Sequence, residues 1–372
     1  MAVKESHHRH YQAKQIPLFP LLSLICFVSI FLALSVFYKT SVIPRPHQTF
    51  QFINGVKSDR SKAAGGDSCD YSDGSWFHDP NLRTSRYDHT CKEIFKGWNC
   101  FAANKSNALE ITNWHWKPEQ CDLPHFDPVS FLEKFRNTNI GFVGDSLNRN
   151  MFVSLFCSLK RVPGEVKKWR PAGADRGFSF LKYNLTIAYH RTNILARYGW
   201  WSANADGGPL ESLGYKEGYR VDVDIPDSSW MEAPNFHDVL VFNTGHWWWA
   251  PSKFDPVKSP MLFFEKSLPV IPPVPPDVGL DMVLKHMAED LFSLTNNRTN
   301  VEVRLVNEHL FKALSGTSFH ILNITPMSEL RADAHPASAG GKKHDDCMHW
   351  CLPGLTDTWN DLFIQHLYNI RR

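Results

Sequence analysis

The stretch whose reading decides the fold is Asn139–Asn150, NIGFVGDSLNRN. Its first part, Ile140–Val143, is an apolar run of strand length. After Gly144-Asp145-Ser146 comes LNRNMFVSLFCSL, which reads as a helix from about Leu147 to Leu159. A strand that passes directly into a helix places the turn at the C-terminal edge of a sheet, where open α/β sheets build their sites. Ser146 would then lie beside free helix N–H groups and the positive end of the dipole, which suits a developing oxyanion. The plainer reading of the triplet is that Ser146 or Asp145 caps the helix.

Outward from this stretch, helix and strand signals alternate. Asp127 opens a helix, DPVSFLEKFR, with Pro128 at its first position. Apolar runs at Asp238–Asn243 (DVLVFN), Val301–Val306 (VEVRLV) and Phe319–Ile324 (FHILNI) read as strands, and Gly279–Leu294 reads as a helix. Alternation of this kind predicts an α/β sandwich with a mostly parallel central sheet. Ile271–Pro276, IPPVPP, reads as a stiff loop. Cys69–Cys121 has little periodicity and reads as a disulfide-tied, loop-rich segment. No internal repeat is evident.

The chain has 372 residues with 43% hydrophobic and 21% charged, an ordinary globular composition. A formal net charge of +2 gives no case for a nucleic-acid partner. Thirteen tryptophans fit a dense core, a sugar-binding surface, or both. Pro17–Tyr38 carries no charge over roughly 22 residues, enough to span a bilayer as a helix. Lys4, Arg9 and Lys14 precede it, so the rest of the chain is expected in the lumen. A cleaved signal peptide competes, but its apolar core is shorter and no clear small-x-small cleavage site comes after the run. The expected organisation is a cytosolic tail (1–16), a signal anchor (17–38), a polar stem (39–66) and a lumenal domain (67–372).

Seven of the eight cysteines lie beyond the anchor, with spacings that match no zinc ribbon. In an oxidising lumen they are expected to form disulfides, with one thiol left over. Sequons at Asn104, Asn184, Asn297 and Asn323 fit lumenal glycosylation.

A serine hydroxyl needs a base to become a nucleophile. Asp345–Asn360, DDCMHWCLPGLTDTWN, offers Asp346 and His349, three residues apart. The carboxylate could hold the imidazole in the tautomer that accepts the serine proton. The bland reading is a surface Asp and a packed His. A third segment, NTGHWWW (Asn243–Trp249), comes directly after a predicted strand. Asn243 or Gly245 could donate to an oxyanion, and His246 is a rival base. Trp247–Trp249 could stack on sugar faces or belong partly to the core.

These motifs together, GDSLNRN, FNTGHWW, NITPMSELRADAHP (Asn323–Pro336) and DCMHWCLPGLTDTWN, resemble the plant trichome birefringence-like family, also called the PC-esterase group and related to GDSL/SGNH esterases. The resemblance runs from Cys69 onward. It implies a GDSL/SGNH-hydrolase-like sandwich in a single-pass type II Golgi membrane protein that O-acetylates cell-wall polysaccharides. It assigns Ser146 as nucleophile with Asp346 and His349 completing a triad. Gly144, Asp145, Asn243, Gly245, His246 and Arg149 are the candidates for holding the oxyanion or substrate; Arg149 and Asn150 are expected to be structural or to line the site. The family's disulfides would map as Cys69–Cys121, Cys91–Cys157 and Cys100–Cys351. That leaves Cys347 single, because the further cysteine that members carry before the NIT segment is missing from VNEHLFKALSGTSFHIL. Trp200–Gly214 and the proline-rich loop also depart from the family pattern.

The implied partners are a polysaccharide acceptor (xylan, mannan, xyloglucan or pectin), the Golgi membrane and membrane proteins supplying acetyl donor. No bound cofactor and no metal is expected; acetyl-CoA or another acetyl carrier would serve as co-substrate. The same residues with water as acceptor would give a polysaccharide acetylesterase, and a non-enzymatic pectin-binding protein is a further alternative.

Overall fold

The computed structural model describes residues 70–81, 86–204, 207–250, 252–288, 301–314, 319–336 and 346–370. The expected tail, anchor and stem, together with Cys69 and Asn297, lie outside the described residues. Among the described residues no helix is long and apolar enough to cross a membrane.

The central sheet has five strands in the order β4 (Val166–Lys168), β5 (Arg176–Phe180), β6 (Leu185–Arg191), β3 (Asn139–Gly144), β9 (Val239–Asn243). Strand β3 runs parallel to β6 on one side and to β9 on the other. Its alternation divides the protein. Ile140 and Phe142 are fully buried in one core, whereas Val143 is fully buried in a second core on the other face. The α/β expectation holds, but the sheet is mixed rather than mostly parallel. β5 pairs antiparallel with β6 and with β4. The cause is local: β5 reaches β6 through Leu181–Tyr183 and Asn184, whose φ of 47° is left-handed. So short a connection returns the chain as a hairpin and leaves no room for a parallel crossover.

A second sheet, not foreseen from the sequence, runs in the order β11 (Leu268–Pro269), β10 (Met261–Glu265), β8 (Glu217–Pro226), β7 (Ala196–Ser202). The segment after Asp70 is loop-rich as read, but contains an antiparallel pair, β1 (Gly74–His78) with β2 (Trp114–Pro118).

Five longer helices complete the fold: α1 (Pro128–Lys134), α2 (Ser146–Lys160), α3 (Pro276–Ala288), α4 (Val301–Ala313) and α5 (Leu355–Ile370). Asp127 caps α1 with its side chain on Val129 N–H, and Pro128 fills the first turn. Two strand readings fail. Val301–Val306 is the first half of α4, because the apolar residues continue as Val306, Leu310 and Ala313 at helical spacing against the second core. Phe319–Ile324 is irregular. Its side chains are used for packing without a ladder: Phe319 meets Phe242 edge-on at 5.8 Å, and Leu322 and Ile324 lie against the first core.

Helix α5 is fastened along α2 by buried polar contacts. Asp357 accepts hydrogen bonds from Tyr87 Oη at 2.8 Å and Ser154 Oγ at 2.6 Å. Asn360 Nδ2 donates to Met151 O at 3.1 Å and Ser154 Oγ at 2.9 Å. Arg86 completes the cluster by pairing with Asp361. These contacts fix the chain immediately after the Asp346–His349 segment.

Candidate active site

The turn between β3 and α2 is built for a close approach. Gly144 has a φ of 155°, and a Cβ there would stand 2.3 Å from Asn243 O. Only glycine lets β9 come so near at that backbone angle. Gly144 O accepts from Thr192 N at 3.0 Å and from Tyr189 Oη at 3.2 Å, which locks the turn from below. Asp145 is the cap of α2: its Oδ1 accepts from Leu147 N at 2.9 Å. It is 1% exposed, so it serves the helix cap and does not line the site, contrary to expectation. Burial outweighs that backbone hydrogen bond and pushes its carboxyl up to about 6. Ser146 is the first helical residue and is partly exposed. Its N–H is among the first-turn donors with no partner inside the helix.

The chain brings the distant Asp346 and His349 to this serine. His349 Nε2 lies 2.7 Å from Ser146 Oγ. His349 Nδ1 lies 2.9 Å from Asp346 Oδ2 and 3.0 Å from Oδ1. Asp346 also accepts from Met348 N at 3.2 Å and His349 N at 3.1 Å. Burial works to raise its carboxyl, but these hydrogen bonds and the His349 ring prevail and hold it at about 2. An ionised Asp346 fixes the proton on Nδ1 and leaves the Nε2 lone pair for the serine.

The histidine segment is irregular and is held by long-range ties. Asn150, fully buried, donates from Nδ2 to Trp350 O at 3.2 Å and accepts at Oδ1 from Trp350 N at 3.3 Å. One side chain on α2 thus clasps the residue next to His349. His335 Nδ1 donates to His349 O at 2.8 Å, and its ring stacks on Trp350 at 3.8 Å. Cys351 is bonded to Cys100, and Leu352 N donates to Trp98 O at 2.9 Å. Trp98, 2% exposed, sets its ring 5.0 Å from the His349 ring. Sequence reasoning missed Trp98 and His335, although His335 lies inside the NITPMSELRADAHP motif.

The remaining candidates fall at different places. Asn243 ends β9 in register with Gly144. Its Oδ1 is buried without a partner among the described residues, an unspent polar group beside the serine turn. Gly245 precedes a short 3-10 turn, His246–Trp249. His246 is not the base that meets Ser146. Its imidazole is held below its usual range by burial and by the nearby His349. Trp248, 1% exposed, belongs to the second core, so of the three tryptophans only Trp247 and Trp249 keep partial exposure. Arg149 lies one turn after Ser146, with its guanidinium over Trp98 at 5.1 Å and Phe95 at 5.6 Å. Its pKa is lowered by burial and by the neighbouring Arg176.

Cys91–Cys157 and Cys100–Cys351 are disulfides, and Cys347 is a free, exposed thiol. Cys121 is disulfide-bonded; the expected partner, Cys69, lies outside the described residues. Asn104 and Asn184 are exposed, and Asn323 is half-buried. Among the described residues no group of His, Cys, Asp or Glu is set to hold a metal. A cavity of about 250 Å³, walled by Trp76, Trp114, Arg331 and the start of α5, shares no residue with the Ser146 site.

The sequence matches the model of the GDSL/SGNH-like acyl-esterase family found in Pmr5 and Cas1p over residues 123–307 and 287–366. The chain belongs to this PC-esterase family. The segment before it, 67–122, matches the PMR5 N-terminal domain. Protein trichome birefringence-like 13 of Arabidopsis thaliana is 61% identical, across 95% of this chain and 97% of its own length. Trichome birefringence-like 12 of the same plant is 36% identical, across 80% and 84%. A protein named xylan O-acetyltransferase 12, from Oryza sativa subsp. japonica, is 27% identical, across 82% and 70%. The family domain and the N-terminal domain meet at the site: Trp98 and Cys100 come from one, Ser146, His349 and Cys351 from the other.

Proposed function

We propose that the chain is a Golgi type II membrane enzyme that transfers acetyl groups to hydroxyls of a plant cell-wall polysaccharide through an acetyl-serine. The observation that carries this reading is the line Ser146 Oγ–His349–Asp346, with contacts of 2.7 and 2.9 Å. Membership of an acyl-esterase family and similarity to xylan O-acetyltransferases support the chemistry and the acceptor class.

In the first half-reaction His349 Nε2 takes the Ser146 proton as Oγ attacks the acetyl carbonyl of the donor. The oxyanion is held by the Ser146 N–H at the helix N-terminus, with Asn243 and the Gly245 backbone as further donors. Collapse expels the donor's leaving group, which receives the proton from His349, and leaves acetyl-Ser146. In the second half-reaction His349 takes the proton of a sugar hydroxyl. The alkoxide attacks the acetyl carbon, and Ser146 leaves with that proton. Asp346 holds the imidazole and stabilises the imidazolium in both halves. Sequons at Asn104, Asn184, Asn297 and Asn323 carry glycans in this topology.

The test uses purified detergent-solubilised protein, an acetyl donor and a panel of wall oligosaccharides read by mass spectrometry. An acetyl increment on one glycan class, absent with Ser146→Ala, is expected. Loss of acetyl from pre-acetylated glycans would instead make the protein an esterase. Binding without either reaction would make it a wall-polymer binding protein.

A further inference from the structure

A file of partly exposed rings starts at the loop after β9, whose last residue, Asn243, stands in register with Gly144. It begins at His246, whose imidazole feels the charge of His349 and lies against the Trp247 ring at 4.8 Å. Next comes Lys253, with Nζ 5.6 Å from the Trp247 ring centre, 4.7 Å from that of Tyr198 and 5.8 Å from that of Tyr219. Tyr219 meets Trp200 edge-on at 5.4 Å. Register explains the grouping: Trp200 on β7 opposes Tyr219 on β8, and Tyr198 is two residues along on the same face.

Two features of this file are left open to solvent or without a counter-charge. Trp200 is 57% exposed, although Tyr198 and Tyr219 on the same face pack against the second core. Lys253 donates to Tyr198 Oη at 2.9 Å but faces no carboxylate among the described residues. The rings and the tyrosine oxygen offset part of its desolvation, and a ligand carboxylate would add the missing counter-charge. Arg149, one turn after Ser146 on α2, repeats the pattern. Arg149 is stacked on Trp98 and Phe95, its Nε is buried without a partner, and its guanidinium makes no ion pair among the described residues. Positive charge without an ion-pair partner among the described residues therefore stands at Arg149, one turn after Ser146, and at Lys253, within the file of aromatic rings.

We infer that this file is the acceptor track and that the acceptor is an acidic glycan, one bearing uronate carboxylates. Sugar rings lie on the faces of Trp247, Tyr219 and Trp200, which suits their apolar C–H surfaces. A uronate carboxylate meets Lys253, and a second one, across the reacting sugar, meets Arg149, whose planar fork matches a carboxylate. A neutral glycan would use the rings and leave both cations unpaired. The inference rests on the acyl-transfer reading only for the direction in which the chain is threaded.

The test uses the full chain and two probes, an oligomer of galacturonic acid and a neutral xylose oligomer of equal length. Binding is measured with Ser146→Ala protein by calorimetry at low and high salt. Acetylation of Ser146 by a small acetyl ester is measured separately on the wild type. The acidic oligomer is expected to bind more tightly, with affinity falling as salt rises. Lys253→Gln should weaken the acidic oligomer about fivefold and leave the neutral one unchanged, and Lys253→Arg should restore binding. Trp200→Ala, at an exposed position that folding does not need, should weaken both oligomers by about fivefold. Equal or tighter binding of the neutral oligomer, or no response to Lys253→Gln in a protein that melts like the wild type, overturns the inference. If Ser146 is acetylated while the acidic oligomer is not bound, the acceptor track is wrong and the acyl-transfer reading stands. If the oligomer binds as expected but Ser146 is never acetylated, the track stands and the acyl-transfer reading falls.

Discussion

The Gly144–Ser146 turn and the Asp346–His349 segment meet at one hydrogen bond, yet they are positioned by opposite means. The serine is placed locally: a buried strand, a glycine that admits Asn243 O, and an aspartate cap that starts a helix. The histidine is placed remotely, by Asn150 on α2, His335, the Cys100–Cys351 bond and the Trp98 ring. Damage to the first region should therefore be confined to the turn. Damage to the second should reach His349, the proposed base, from residues that lie behind it.

Five variants test that contrast, from the largest effect down. Ser146→Ala removes the proposed nucleophile and should lower acetyl transfer at least about a thousandfold with the melting temperature nearly unchanged. Asp346→Asn should cost about a thousandfold or more in kcat, because the amide no longer fixes the proton on Nδ1. The same variant carries a pH signature. Asp346 is held at about 2 in the folded protein, below its ordinary value of 3.8. Its ionised form therefore stabilises the fold fully above that ordinary value, and the contribution is lost as pH falls toward about 2. The difference in melting temperature between wild type and Asp346→Asn should be largest at neutral pH and shrink below about pH 4.

Asn150→Ala is the sharper test of remote positioning. It deletes both clasps on Trp350 in a fully buried place. A displacement of the imidazole should lower kcat roughly ten- to a hundredfold, with about 2 kcal/mol lost in denaturant unfolding. An Asn150→Ala protein with normal kcat would show that the histidine does not depend on α2. The smallest catalytic effect is expected from breaking one disulfide. Cys100→Ala with Cys351→Ala should cost about 2–4 kcal/mol in stability and reduce kcat. Cys91→Ala with Cys157→Ala should cost similar stability and leave kcat closer to normal, since that bond fastens the last turn of α2 and not the histidine segment.

The same contrast explains what can be read from the sequence. The serine turn is legible because it is local: apolar run, Gly-Asp-Ser and helical spacing are contiguous in Asn139–Leu159. The Asp346–His349 spacing is legible as one turn of chain, but its partners are not, since nothing in single-sequence periodicity ties Asn150 to Trp350 or Trp98 to His349. Val301–Val306 misleads because a period-two pattern of six residues also fits the start of a helix whose apolar face lies further on. The mixed sheet escapes a sequence reading because its direction is decided by the short turn at Leu181–Asn184, and the left-handed Asn184 carries no signal strong enough to show that. Asp145 is drawn to the site by its company in the motif, whereas burial assigns it to the helix cap.

The most direct test of the account is to capture the acyl-enzyme. Wild-type protein is mixed with an acetyl donor without acceptor, quenched in acid, digested and analysed by mass spectrometry. The account predicts an acetyl group on Ser146, absent in His349→Ala and discharged when an acceptor glycan is added before quenching. Acetylated glycan appearing while Ser146 stays unmodified throughout, or forming at an undiminished rate in Ser146→Ala, would contradict it.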